Sequence, residues 1–252
     1  MIQALMSVKV IFFDAVGTLI YLPKGVGAHY SQGARRHGCE IPADVLQAAF
    51  VAVYRKMPPR PATRSARPDD DKGWWRELVD RVLDRCHVGE DGVGPLDRGA
   101  YFEDVYAEFA MPEVWELFPE TLETLDALRP HFTLGIISNF DGRLRTILGH
   151  LGIADRFQHI VISSEAGSDK PDPWIFHRAL SLAEVSAEEV LYIGDDPVRD
   201  WQGGEALGLQ TFRLERPGNS LRDVLPVVGL GKCQPRLCEA PMAQRGPSSN
   251  VE

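Results

Sequence analysis

Five short stretches of the chain are apolar without alternation and rich in β-branched and aromatic side chains. They are VKVIFF (8–13), TLGIIS (133–138), HIVIS (159–163), VLYIG (190–194) and LQTFRL (209–214). This pattern predicts strands buried on both faces, as in a parallel sheet. Helical patterns separate the later strands. TLETLDALR (121–129) puts Leu122, Leu125 and Leu128 on one stripe, and DGRLRTILGHLG (141–152) opens with Asp141 as an N-cap and closes at a glycine. PWIFHRALSLAEV (173–185) carries Pro173 in its first turn, and SAEEV (186–190) reads as a second capped start. Strands alternating with helices imply a parallel sheet with right-handed crossovers.

Between the first and second strands the pattern changes. From about Leu22 to Glu116 the spacing is helical, with apolar positions at i, i+3 and i+4 in 43–57, 71–86 and 96–110. The Pro- and Arg-rich PPRPATRSARPDD (58–70) reads as a mobile loop. The expected fold is therefore α/β: a Rossmann-like parallel-sheet core from residues 1–21 and 117–232, with an inserted α-helical domain at 22–116. Residues 233–252 lack periodicity and read as a loose C-terminal tail.

A length of 252 residues with 44% hydrophobic and 25% charged residues is that of an ordinary globular protein with a sizeable core. The net charge of −9 argues against a nucleic-acid partner. No apolar run reaches about 18 residues, and the first ten are too weakly apolar for a signal peptide, so a membrane association is not expected. The four cysteines, Cys39, Cys86, Cys233 and Cys238, show no C-x-x-C spacing. They suggest a reduced, cytoplasmic setting rather than a zinc site or disulfides.

In open α/β sheets ligands bind beyond the carboxyl ends of the strands. Asp14 closes the first strand, Ser138 and Asn139 close the second, Lys170 follows the third, and Asp195, Asp196 and Asp200 follow the fourth. Asp14 and the Asp195 group would repel each other at close range unless a hard divalent cation, Mg²⁺, lay between them. Such a centre suits a phosphoryl group. The metal and Lys170 would neutralise its oxygens, and Ser138 and the N–H groups near Gly17 and Thr18 would donate hydrogen bonds. Asp14 is then placed as a nucleophile that forms an aspartyl-phosphate, later cleaved by water.

DAVGTL (14–19), SN (138–139), KPDPWIF (170–176) and GDDPVRD with GGEALG (194–208) resemble, in order, the signatures of the haloacid dehalogenase-like (HAD) hydrolase superfamily. The helical insert lies where that family's subclass I cap belongs, and the likeness spans about residues 8 to 215. WW (74–75), SNFDGRL (138–144) and the overall length resemble the branch related to the rhythmically expressed gene 2 group. The resemblance implies a phosphatase with Asp14 as nucleophile, Thr18 and Ser138 as phosphate-contacting hydroxyls and Lys170 as the neutralising cation. Gly17 and Asn139 would contact substrate. Asp14, the backbone carbonyl of Val16, Asp195 and Asp200 would hold Mg²⁺. The implied partner is a small phosphorylated metabolite, acted on by a monomer or homodimer.

One position departs from the pattern. Phosphatases of the family carry a general-acid Asp two residues after the nucleophile, and this chain has Val16. A positioned general acid contributes roughly 10²–10⁴-fold. Dehalogenases lack that acid because halide leaves without a proton, but they use no metal and have a polar, non-acidic residue where this chain has Asp195. Phosphonate-cleaving relatives also lack it and use a cap lysine, for which Lys24 and Lys56 are the early candidates. A catalytically weak binding protein of the same fold is the further alternative.

Other residues have plainer readings. Asp196 fits a helix N-terminus. Trp74 and Trp75 point about 100° apart on a helix, so at least one belongs to the insert's core. His29, His37 and His177 read as structural or exposed. Arg35 and Arg36 read as a solvated face that could otherwise meet an anionic substrate.

Overall fold

Ile11, Phe12 and Phe13 have no exposed surface because β1 (Val10–Phe13) runs through the middle of a five-stranded parallel sheet. The computed structural model describes residues 8–88 and 95–231. β1 pairs on one side with β4 (Thr133–Ser138) and on the other with β6 (Val190–Gly194); β5 (His159–Ile162) and β7 (Gln210–Arg213) form the edges, in the order β5-β4-β1-β6-β7. Val10 lies opposite Thr133 and Val190, and Phe13 opposite Ile136 and Ile193. This register brings three strands to one edge of the sheet together, ending at Asp14, Ser138 and Gly194.

Side chains alternate across the sheet. Ile11 and Phe13 join Leu125 and Leu128 of α5 (Thr121–Leu128) and Leu144, Ile147 and Leu148 of α6 (Arg143–His150). Val10 and Phe12 face Ile175, Phe176 and Ala179 of α7 (Pro173–Ala183). Both faces are thus covered, which explains the unbroken apolar runs in the sequence. Asp141 accepts from the Arg143 N–H at 3.1 Å at the head of α6. SAEEV has its capped start, a Ser186–Glu189 capping box, but forms only one 3₁₀ turn before β6 begins at Val190.

The insert leaves the core through an antiparallel ribbon too short to read by period, β2 (Ile20–Tyr21) against β3 (Glu116–Leu117). Its helices are α1 (Gly25–Arg36), α2 (Ala43–Tyr54), α3 (Lys72–Arg85) and α4 (Arg98–Glu108). They enclose a core of their own that includes Tyr30, Leu46, Leu78, Leu83, Tyr101 and Phe102. α1 packs closely on α2: a Cβ on Gly27 would stand 2.2 Å from the Ala43 carbonyl oxygen. Trp74 and Trp75 both pack on this core.

The loop read at 58–70 is a loop, and it is fastened as a strap to the sheet domain. Thr63 and Arg64 donate their N–H groups to Gly167 O, at 2.8 and 3.0 Å, and Arg67 N donates to Ser164 O at 2.8 Å. Asp70 accepts from Gly142 N at 2.8 Å. Arg60 and Arg67 are buried and both reach Asp71 and Asp169. Proline and arginine mark a loop here, but the arginines are its anchors. Arg36 pairs with Asp104 and Glu108, and buried His29 with Glu108, inside the insert. Among the described residues no helix is long and apolar enough to cross a membrane. The tail at 233–252, with Cys233 and Cys238, lies outside the described residues; Cys39 and Cys86 are buried in the insert's core.

Candidate active site

Each strand end delivers its polar residue through a specific local device. Asp14 N–H donates to Ile193 O at 2.8 Å, which continues the β1–β6 ladder one residue past the strand and fixes the direction of the carboxylate. The chain then turns sharply: Gly17 N donates to Ile20 O, and Leu19 N and Ile20 N both donate to Ala15 O. Gly17 sits at φ +93°, and a Cβ there would stand 2.3 Å from Asp195 Oδ2. Only glycine satisfies both the dihedral and the contact. Thr121 Oγ1 and Arg216 fasten this turn from behind by donating to Leu19 O and Thr18 O.

Lys170 is 4% exposed and stands at the centre. Its Nζ donates to Asp14 Oδ1 and Asp200 Oδ1, both at 2.7 Å, and to the Tyr192 hydroxyl oxygen at 2.8 Å. Tyr192 OH in turn donates to Asp200 Oδ1 at 2.8 Å. The second Asp200 oxygen accepts from Asp196 N at 3.0 Å. Asp196 itself turns away to cap the following helix, accepting from Val198 N and Arg199 N.

Asp14, Asp195 and Asp200 each offer a carboxylate oxygen within 4.8 Å of the other two. Three carboxylates and one ammonium leave an excess of negative charge. Burial, only partly offset by Lys170, pushes the Asp14 carboxyl up to about 7. Burial and then the Asp200 charge push Asp195, at the open mouth of the site, up to about 6. Burial disfavours the Lys170 ammonium, but Asp14 and Asp200 outweigh it and hold its pKa above the ordinary lysine value. The Tyr192 phenol is raised well above its usual range, by burial and then by Asp200, so it serves as a neutral donor.

Asp14, Val16, Ser138, Asn139, Lys170, Asp195 and Asp200 line one cavity of about 190 Å³. Gly17 and Thr18 stand behind Asp195 instead; buried Thr18 donates to Asp195 Oδ1 over 3.5 Å. Lys24 and Lys56 do not line the cavity. Tyr54 and Arg199 also line this cavity, and Tyr192 stands behind it on Lys170 and Asp200; none of the three has a role read from the sequence. Tyr192 was legible only as a strand residue, whereas Arg199 lies within the GDDPVRD stretch. Tyr54 comes from the last turn of α2, and no local signal marks it.

A second cavity, of about 270 Å³, lies beneath the insert. Its walls are almost wholly apolar and include Val26, Phe50, Val105, Phe109 and Phe140. Trp75 lines it as well. Val16, Tyr54 and Asn139 belong to both cavities.

The haloacid dehalogenase-like hydrolase family model matches residues 8–208, a span that holds every one of these site residues. The chain belongs to the HAD-like hydrolase family. Among its relatives, this HAD-like hydrolase is 32% identical over 221 residues to haloacid dehalogenase-like hydrolase domain-containing protein 3 of Bos taurus, covering 84% of each chain. It is 27% identical over 219 residues to the rhythmically expressed gene 2 protein of Drosophila melanogaster, covering 82% of each. Its fold matches the magnesium-bound HAD-hydrolase YfnB of Bacillus subtilis with a TM-score of 0.68 at 18% identity, over 88% of this chain and 99% of that one.

Proposed function

We propose that this HAD-like hydrolase is a Mg²⁺-dependent phosphatase acting on a small phosphomonoester through an aspartyl-phosphate on Asp14. The observation that carries this reading is the convergence of Asp14, Asp195 and Asp200 on one point beside the Lys170 ammonium. An all-oxygen donor set is the chemistry of a hard cation, and the three carboxylates outnumber the single Lys170 ammonium that touches Asp14 and Asp200. Asp14, Asp195, Asp200 and the Val16 carbonyl would hold Mg²⁺, which supplies neutralisation of phosphoryl oxygens when bound.

The chain's own groups do the rest. Asp14 attacks phosphorus; the bond from phosphorus to the ester oxygen breaks, and the electron pair leaves on that oxygen. Lys170 balances charge beside the nucleophile and Ser138 offers a hydroxyl donor. Water then cleaves the aspartyl-phosphate and releases inorganic phosphate. Val16 offers no proton to the departing oxygen, so esters with good leaving groups are the better substrates. The test is hydrolysis of p-nitrophenyl phosphate with and without Mg²⁺ by the wild type and Asp14→Asn. Metal-dependent turnover that Asp14→Asn abolishes supports the reading; a fully active Asp14→Asn defeats it.

Dehalogenation has Val16 in its favour, because halide departs without a proton. The three clustered carboxylates weigh against it, since they would face a carboxylate substrate. Chloride or fluoride release from a 2-haloacid panel is the competing assay.

A further inference from the structure

The phosphatase reading leaves open what the phosphate is attached to, and the second cavity addresses that. It adjoins the polar site across Val16, Tyr54 and Asn139. A phosphoryl group beside Asp14 and Lys170 therefore has an apolar chamber next to its ester oxygen. Among the described residues that line the chamber, the one cation, Arg143, is already spent. Its Nε and Nη2 donate to the two oxygens of buried Asp141 at 2.8 and 2.7 Å, and its Nη1 donates to Tyr106 O at 2.9 Å. Its guanidinium lies 3.6 Å from the centre of the Tyr106 ring. Arg143 thus forms part of the wall and holds no free charge for a polar substrate. A sugar or polyol entering here would lose water from its hydroxyls with few partners in exchange.

Resting on the phosphatase reading, we propose that the substrate is an aryl phosphate whose fused-ring leaving group occupies this chamber. Two independent features select that class. Val16 requires a leaving oxygen that departs unprotonated, which an aryloxide can do by spreading its charge into the ring; it then takes a proton from solvent. The chamber separates aryl from acyl phosphates, because an acetyl group would leave it unfilled. Size sets the ring number: an apolar cavity of about 150 Å³ accepts benzene, and this one measures about 270 Å³.

The test compares kcat/KM for 2-naphthyl phosphate and phenyl phosphate, whose leaving groups differ little in acidity, in the wild type and in Val26→Trp, which fills the chamber. A naphthyl preference on the order of tenfold or more is expected, falling toward one in Val26→Trp. Should that variant fail to fold, Leu22 also lines the chamber, and Leu22→Phe gives the same comparison. Active enzyme with a ratio near one, or a preference unchanged in the filled variant, overturns the assignment while leaving the phosphatase reading intact. If neither ester is hydrolysed while p-nitrophenyl phosphate is, the assignment is overturned and the phosphatase reading stands; if p-nitrophenyl phosphate is inert as well, the phosphatase reading fails, and calorimetry with 2-naphthol and phenol decides the chamber separately. Binding of 2-naphthol tighter by about tenfold supports it, and equal or absent binding overturns it.

Discussion

The Asn139 side chain grips the Lys170 backbone from both directions: Oδ1 accepts from Lys170 N at 2.7 Å, and Nδ2 donates to Lys170 O at 2.9 Å. An amide can close that ring and a carboxylate cannot, because it has no donor. Asn139→Asp is therefore expected to cut kcat about tenfold or more while leaving the fold intact, since a mis-aimed catalytic group is costly even when present. Asn139→Gln, with the same groups one methylene further out, should recover less than half of the loss. Steady-state kinetics on p-nitrophenyl phosphate checks both.

Lys170→Met removes the ammonium that touches both Asp14 and Asp200. Breaking a buried pair by deleting one partner costs about 3–5 kcal/mol. That loss should appear in urea unfolding at pH 8 without metal and shrink toward pH 6, where the abandoned carboxyls take up protons. Turnover should fall by at least about 100-fold. A variant as stable as the wild type at pH 8 would contradict the network.

Without a cation, Asp14 and Asp195 bind protons more tightly in the folded than in the unfolded chain, because burial lifts both to about 7 and about 6. Their contribution to stability is full below the ordinary carboxylate range and is lost as pH rises through those values. Mg²⁺ must displace these protons, so its affinity should climb from pH 6 and level off near about pH 8. Magnesium at about 100 times its Kd should then raise stability by about 2.7 kcal/mol, and EDTA should reverse this. Thermal melts with and without Mg²⁺ at pH 6 and pH 8 check the sign.

Val16 is 37% exposed, so an acid placed there stays hydrated and able to carry a proton. Val16→Asp should speed alkyl phosphate hydrolysis by at least about tenfold and change p-nitrophenyl phosphate turnover far less. Equal changes for both esters would remove the link between position 16 and the leaving group.

The sheet was legible because both its faces are covered, so β1 and β6 appear as unbroken apolar runs. The strand-end rule then located Asp14, Ser138, Lys170 and Asp195 without any knowledge of pairing. Tyr192 was hidden because a tyrosine in a buried strand looks like packing until its hydroxyl is seen between Lys170 and Asp200. The loop at 58–70 was legible from its composition, but its fastening was not, because Asp169 and Gly167 lie far along the chain. Nothing local announces Tyr54 or the apolar chamber, which exist only once the insert's helices have closed over Val16.

Arg60 and Arg67 reach from the insert to Asp169, the residue just before Lys170. The chain itself crosses between the two halves at the β2–β3 ribbon, and the strap and the Arg143–Tyr106 hydrogen bond attach them beyond it. The ribbon alone would permit a swing; the added attachments make a mount. Tilting the helices therefore pulls on the loop that aims the lysine, and the width of the entrance and the alignment of the charge centre are set by one mechanical linkage.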